Sequence, residues 1–309
     1  MSLPVFLSRM GRGGLNRTGG LWYTICRRRD RPTKWQESLF RKELFEEESV
    51  MSKIYIDCTN GISGDMVLMA LKELGAEADM EGVIDFSLPF EEMAGHHHHH
   101  HHDHDHDHHD HDHDHHHDHD HDHEHSHDHV HVSYGRVAHL IDHSTLDYAV
   151  KSQAKAIYRV IARAEGKVHG APMEEVHFHE VGRDQAILQI TGVAKALDEL
   201  DVTEVYCSDV HDGHGTITCS HGVIPVPVPA VDAMMEEVED EMTFVTDDIE
   251  TEMVTPSGLG ILIGIGAECV GDMPEEFKAA EAAGTLKKGV GVGTRDIGRD
   301  GLKIYMLAD

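Results

Sequence analysis

The residues with the most obvious chemistry form one internal tract. Positions 96–131 hold 23 histidines and 11 acids, with only Ser126 and Val130 besides. The run opens with His96, His97, His98, His99, His100, His101 and His102 and continues through His104 and His106. Neutral imidazole nitrogen suits nickel, copper, zinc and cobalt. The interleaved aspartates add oxygen donors and can orient neighbouring rings. No apolar core can form from such a composition, so the tract is expected to be disordered without metal. It should therefore bind several ions exchangeably and serve storage or delivery, because catalysis needs a held geometry. A tag or a merely solvated run is the plainer reading, but the tract is internal, long and interleaved with aspartate. Ligation requires deprotonated rings, so metal should leave as pH falls below about 6.5.

A second set of candidates lies in patterns that an ordered backbone could hold. In His177-Phe-His179-Glu180 the two imidazoles share one face of an extended segment, about 7 Å apart at Cα. Val176 and Phe178 would then face a core, and Glu180 would face away from the histidines in a regular strand. The pair and Glu180 are candidate ligands for a divalent ion, against the plainer reading of an exposed polar strand. Asp57 closes a first strand and Asp65 opens the next helix, with Gly61-Ile-Ser-Gly64 between them. These carboxylates are candidate catalytic groups, as acid/base residues or as ligands for Mg²⁺ or Mn²⁺. Asp65 could equally be a helix cap. The loop lacks a phosphate-loop lysine. His211, His214 and His221 border glycine-rich turns, where ordinary turn chemistry is the simpler reading. Gly289-Val-Gly-Val-Gly293-Thr-Arg-Asp296 is only loosely like a phosphate-cradling loop; it reads as a glycine-rich turn region and equally as a strand with turns.

The elements that would position these residues follow from periodicity. Residues 53–57 are short and β-branched, a strand. Residues 65–74 carry a helical stripe closed by Gly75. Ser144 would cap a long helix striped by Leu146, Val150, Ala154, Ile157, Ile161, Ala164 and Val168 and stopped by Gly170 and Pro172. Residues 175–181 read as extended and 184–200 as a second helix. Residues 202–210 and 216–219 read as strands. Three prolines at period two keep 224–229 extended. Residues 231–237 and 259–267 read as helices, and 302–307 as a last strand. This alternation predicts an α/β or α+β layered sheet-and-helix domain over 51–309, interrupted by a disordered His/Asp-rich insertion at about 85–133.

Charge and composition narrow the setting. The formal net charge is −31. Outside the tract, from Met51 on, 16 Lys and Arg face 40 acids. Such a surface repels nucleic acid and anionic membrane, and no apolar run reaches membrane-spanning length. Five scattered cysteines without a CxxC pair point to a reducing cytoplasm; Cys58 and Cys219 are read as free thiols. Residues 1–50 carry ten Lys and Arg and both tryptophans. They read as a disordered or mis-assigned extension, with Met51 as a natural start.

Several of these segments occur together in a telling order. They are Asp57-Cys-Thr-Asn-Gly-Ile-Ser-Gly-Asp-Met66, the His-rich insertion, Lys167-Val-His-Gly170, Glu175-Val-His-Phe-His-Glu-Val-Gly182, Ser220-His-Gly222, Pro225-Val-Pro-Val-Pro229 and Thr255-Pro-Ser-Gly258. The series resembles the LarC family, which inserts nickel into the nickel-pincer nucleotide cofactor of lactate racemase. The resemblance implies a lyase-type nickel chelatase. It would place Ni²⁺ in pyridinium-3,5-bisthiocarboxylic acid mononucleotide, forming nickel–sulfur and nickel–carbon bonds, with CTP and Mn²⁺ or Mg²⁺. His214, His221 and Thr255 become candidate cofactor-binding residues on the same ground. Sulfur donors on the substrate would draw nickel from imidazole and carboxylate sites. Implied partners are the pyridinium nucleotide, a complementing C-terminal polypeptide and a recipient racemase-like enzyme, with an oligomer allowed. The alternative is a non-catalytic nickel store or metallochaperone. Two departures stand out: Gln185 and Gln189 occupy places where the family usually has acids, and the chain stops at Asp309, near where the family's further C-terminal region, linked to CTP binding and oligomerisation, would begin.

Overall fold

In a computed structural model, residues 51–90, 132–219, 222–295 and 297–308 are described. The sheet is centred on β1 (Ser52–Asp57), whose Ile54 and Ile56 are fully buried. Its five strands run in the order β10 (Lys287–Gly291), β11 (Leu302–Ala308), β1, β4 (Val202–Cys207), β9 (Glu268–Cys269). β1 is parallel to β4 and antiparallel to β11, with Ser52 opposite Ala308 and Asp57 opposite Lys303. Only β11 runs against the other four.

The two faces of the sheet are covered differently. On one side α1 (Gly64–Glu73) packs over β10 and β11 and against α4 (Asp184–Glu199). The long α3 (Tyr148–His169) meets α4, α5 (Pro229–Glu237) and α6 (Pro256–Gly264). On the other side Tyr55, Tyr206 and Tyr305 stand in register across three strands. Phe277 of α7 (Glu275–Ala283) is fully buried, with its ring 6.2 Å from that of Tyr55 and 6.3 Å from that of Tyr206. The layered α/β class expected from alternation is the one observed. No helix among the described residues is long and apolar enough to cross a membrane.

Local differences from the sequence reading have physical causes. The long helix starts at Tyr148, because Ser144 closes an unforeseen helix, α2 (Tyr134–His143), and its hydroxyl donates to the Ile141 carbonyl at 2.7 Å. Gly170 ends α3 at φ 65°, as its glycine foretold. The 202–210 segment is two strands, β4 and β5 (Val210–Asp212), and β5 pairs with β8 (Phe244–Thr246) instead of joining the main sheet. β6 (Thr216–Cys219) and β7 (Gly222–Pro225) pair antiparallel, so the proline-rich segment begins as a strand partner.

Of its two readings, the glycine-rich 289–296 region takes the strand. Its first part is the strand β10. A Cβ at Gly289 would lie 2.1 Å from the Ala70 carbonyl oxygen, and one at Gly291 would lie 1.8 Å from that of Met66. The glycines are there so that the backbone of α1 can sit directly on the sheet.

Residues at the margins of the expected insertion are held. The Arg136 guanidinium donates to the carbonyls of Phe86, at 2.8 Å, and of Leu88. β2 (Val132–Ser133) pairs with β3 (His177–Phe178). The tract 96–131 lies outside the described residues, as do residues 1–50.

Candidate functional site: a cleft at the strand ends

A cleft of about 310 Å³ opens where the carboxyl ends of β1 and β10 meet the starts of α1 and α6. This is where open α/β sheets usually take ligands. Asn60, Ser63 and Asp65 enter it from the loop after β1, Glu252 and Thr255 from the segment before α6, and Arg295 and Arg299 from the β10–β11 loop. The first two segments are sewn together. Ile62 donates to the Met253 carbonyl at 2.9 Å, and Thr255 donates to that of Ile62 at 3.0 Å.

Two glycines make this seam possible. A Cβ at Gly61 would stand 2.3 Å from the Met253 carbonyl oxygen, and one at Gly258 would stand 2.3 Å from that of Ile62. Gly61 also has φ +78°, which side chains disfavour.

Both helix starts are prepared by hydroxyls. Thr255 caps α6, accepting from the Gly258 amide at 3.1 Å. Ser63 stands at the N-cap of α1, but its hydroxyl donates to Asp65 Oδ1 at 2.7 Å. The Gly64 amide is taken instead by Ser257 Oγ at 3.3 Å. Asp65 therefore sits in the first turn of α1 without being its cap.

Behind the cleft lies a set of carboxylates. Glu252 is buried and paired with Arg295 at 2.6 Å. Burial pushes its pKa up, and Arg295 offsets that only in part. Asp212 is 2% exposed. Its Oδ1 accepts from the amides of Gly213 at 2.8 Å, Met253 at 2.8 Å and Val254 at 3.0 Å. Its Oδ2 is buried with no partner among the described residues. Burial raises this carboxyl too, against the pull of the three amides. Asp247 behaves oppositely. Burial favours its neutral form, but hydrogen bonds from His211 and Arg299 outweigh that and hold it below the usual carboxylate value. Arg299 also donates to the Thr59 carbonyl at 3.0 Å, so Asp247 braces the cleft wall.

The candidates from sequence divide. Asp65 and Thr255 line the cleft; Asp57 does not. Asp57 Oδ1 takes the Thr59 hydroxyl at 2.6 Å and stands across from Lys303 on β11. His214 is further along, with Nε2 3.4 Å from Asp248 Oδ1, and it does not line the cleft. His177 is exposed and His179 half-buried, while Val176 before them and Phe178 between them are buried, as the alternation required. The His179 ring lies 6.4 Å from that of His169 at the end of α3. Glu180 is exposed in the turn that follows, near enough for its charge to raise Glu252. His221 and the tract ligands His96 to His106 lie outside the described residues. Among the described residues no three His, Cys, Asp or Glu gather as a metal site.

Of the two glutamines singled out from sequence, Gln189 stands beside the cleft, since its Oε1 would be 2.7 Å from a Cβ at Gly64. Gln185 is exposed on α4. Cys58 is buried and free, and burial pushes its thiol well up, which fits a packing role.

Arg295, Arg299, Glu252, Asp212 and Asp247 were not singled out from sequence. The two arginines were the findable ones: cations are scarce in this chain, and these lie four residues apart beside a glycine run. The carboxylates carried no local signal.

Fold and cleft together define a layered α/β protein with a small, charged, partly enclosed site at its strand ends. The family model described as "Nickel insertion protein" matches residues 54–307, so the chain belongs to the nickel insertion protein family. It is similar to proteins named pyridinium-3,5-bisthiocarboxylic acid mononucleotide nickel insertion protein. The one from Acetivibrio thermocellus is 36% identical over 256 residues, covering 81% of this chain and 58% of that protein. The one from Alkaliphilus metalliredigens is 35% identical over 283 residues, covering 84% and 61%. The one from Geobacillus kaustophilus is 33% identical over 249 residues, covering 80% and 57%. The chain thus spans about three fifths of the length of these relatives. No solved structure matches it.

Proposed function

We propose that the chain inserts Ni²⁺ into pyridinium-3,5-bisthiocarboxylic acid mononucleotide in a CTP-dependent reaction. The cleft between the 58–65 loop and the 252–255 segment would hold the nucleotide. The observation that carries this reading is the convergence of Asp65, Thr255, Arg295 and Arg299 on one cleft in a chain of this family. A pyridinium mononucleotide carries a cationic ring and anionic ends, and the cleft offers carboxylates and guanidiniums together.

Nickel is the cargo. The tract 96–131 would hold it exchangeably and pass it through His177, His179 and Glu180 to the substrate. Two thiocarboxylate sulfurs then outcompete imidazole and aspartate for the ion. The cleft's part is to orient the ring and keep it still while the ligands exchange. The described residues gather no three-ligand site, so no step is assigned to resident Mg²⁺ or Mn²⁺. His214, His221 and Asp57 stay as candidates for contact with CTP or with a complementing polypeptide. The product would pass to a recipient racemase-like enzyme.

The experiment is direct. The chain is mixed with the thiolated mononucleotide, Ni²⁺, CTP and Mn²⁺, with and without the C-terminal region of a longer relative, and the product is weighed by mass spectrometry. Nickelated nucleotide is expected. Its absence under both conditions, with nickel still bound to the protein, would leave storage or metallochaperone work as the function.

A further inference from the structure

We propose that Arg295 and Arg299 form the phosphate-binding end of the cleft, gripping the phosphate monoester of the mononucleotide; this rests on the substrate reading above. Both guanidiniums line the cleft from a single loop. The chain's formal charge is −31, so cationic side chains facing one cavity from adjacent turns are not the background pattern.

Each arginine is also braced from behind. Arg295 Nη1 donates to the Glu252 carbonyl at 3.2 Å and to its carboxylate at 2.6 Å. Arg299 Nη1 donates to the Thr59 carbonyl at 3.0 Å and to the Asp247 carboxylate. Every hydrogen bond that the two side chains make to described residues, as donors, runs through Nη1. The rest of each planar fork is left to meet an anion, and a fork fixed at one corner loses less freedom on doing so. The bracing carboxylates are mostly buried, with side-chain exposures of 7% for Glu252 and 14% for Asp247. A phosphate at the mouth is therefore closer to guanidinium than to their charge.

The other wall favours the same anion. α1 and α6 both begin at the cleft, at Ser63 and Thr255, and helix starts carry partial positive charge, although the Gly64 and Gly258 amides are already taken by Ser257 and Thr255. Asp65 also lines the cleft, and its carboxylate suits the cationic pyridinium ring. The site is thus bipolar, with guanidinium for the phosphate and carboxylate for the ring.

A phosphate group can come from the substrate or from CTP, and calorimetry separates them. The unmodified protein is titrated with the mononucleotide, with the nucleoside left after phosphatase treatment, and with CTP. The mononucleotide should bind about tenfold or more tighter than the nucleoside. Inorganic phosphate should compete with the mononucleotide and not with the nucleoside. In Arg295→Gln/Arg299→Gln the preference should fall to near unity while nucleoside affinity holds, and Arg295→Lys/Arg299→Lys should restore part of it. A preference that survives the glutamine pair overturns the proposal, as does one lost for CTP alone. If the glutamine pair unfolds, phosphate competition in the unmodified protein decides. These are binding measurements, so a failed nickel-insertion assay beside intact phosphate preference would overturn the function and not the subsite.

Discussion

His211 Nδ1 stands 3.1 Å from Asp247 Oδ1, a ring held by a carboxylate whose other oxygen is paired with Arg299. The contact ties β5 to β8 across their parallel pairing and fixes the cleft's arginine loop from outside. Asp247 titrates below its ordinary value because these two hydrogen bonds outweigh its burial. Its stabilising effect is therefore present above the unfolded carboxylate value and is lost as pH falls through the folded one.

Asp247→Asn should cost about 1.5–3 kcal/mol in urea unfolding at neutral pH, the usual worth of hydrogen bonds to charged groups. The gap from the unmodified protein should narrow toward pH 3. Equal stability at pH 7 would show that the pair is not holding the loop.

Asp212 gives the opposite pH dependence. Its carboxyl is raised by burial, so the stability linked to its protonated form is full below the unfolded value and is lost as pH rises through the folded one. Asp212→Asn keeps an acceptor for the three amides and carries no charge. In thermal melts starting near pH 4, the unmodified protein should lose ground to the variant as pH rises, by an amount that levels off once Asp212 is ionised. Parallel curves would mean that Asp212 is not buried as a raised acid.

Gly291→Ala should destabilise strongly, because its new methyl would fall 1.8 Å from the Met66 carbonyl oxygen and push α1 off the sheet. Overpacking of this kind costs about 1–3 kcal/mol, and backbone against backbone leaves little room to relax. Gly298→Ala serves as a control: its φ is +68°, but no atom of the described residues lies within contact distance of a Cβ there. A Gly291 variant melting no lower than the control would contradict the close approach.

Phe178 is fully buried between the two histidines of the HxH segment, 5.8 Å from the ring of Tyr158. Phe178→Ala should cost about 3–5 kcal/mol. It should also slow nickel transfer to the mononucleotide more than it lowers nickel bound at equilibrium, since the tract would be untouched. A variant that loses both equally would point to general unfolding.

Much of the frame was readable in the chain. The short β-branched run at 53–57 marked a strand. Gly170 marked the end of α3, and Thr216–Cys219 was placed to the residue. What failed did so for long-range reasons. Gly289 and Gly291 leave strand and turn equally open until α1 is seen lying on them. Ser144 looks like an N-cap, yet it serves the preceding helix, because Asp147 at the N-cap three residues on lets α3 begin later.

The site was less legible than the frame. Asp65 could be picked out because it opens a helix after a glycine-flanked loop, whereas Thr255 entered only through the family resemblance. Nothing near Glu252 or Asp247 in sequence announces that each will brace an arginine more than forty residues away.

β1 lies at the centre of the sheet, yet one of its two neighbours is β11, whose Ala308 faces Ser52. During translation β1 leaves the ribosome well before β11, so the middle of the sheet cannot close until nearly all of the described chain has emerged. Meanwhile Ile54 and Ile56 wait with one unpaired edge, separated from that partner by the long charged tract. A nascent chain stalled before β11 should be a client of folding helpers and sensitive to protease, and release of the last strand should end both conditions at once.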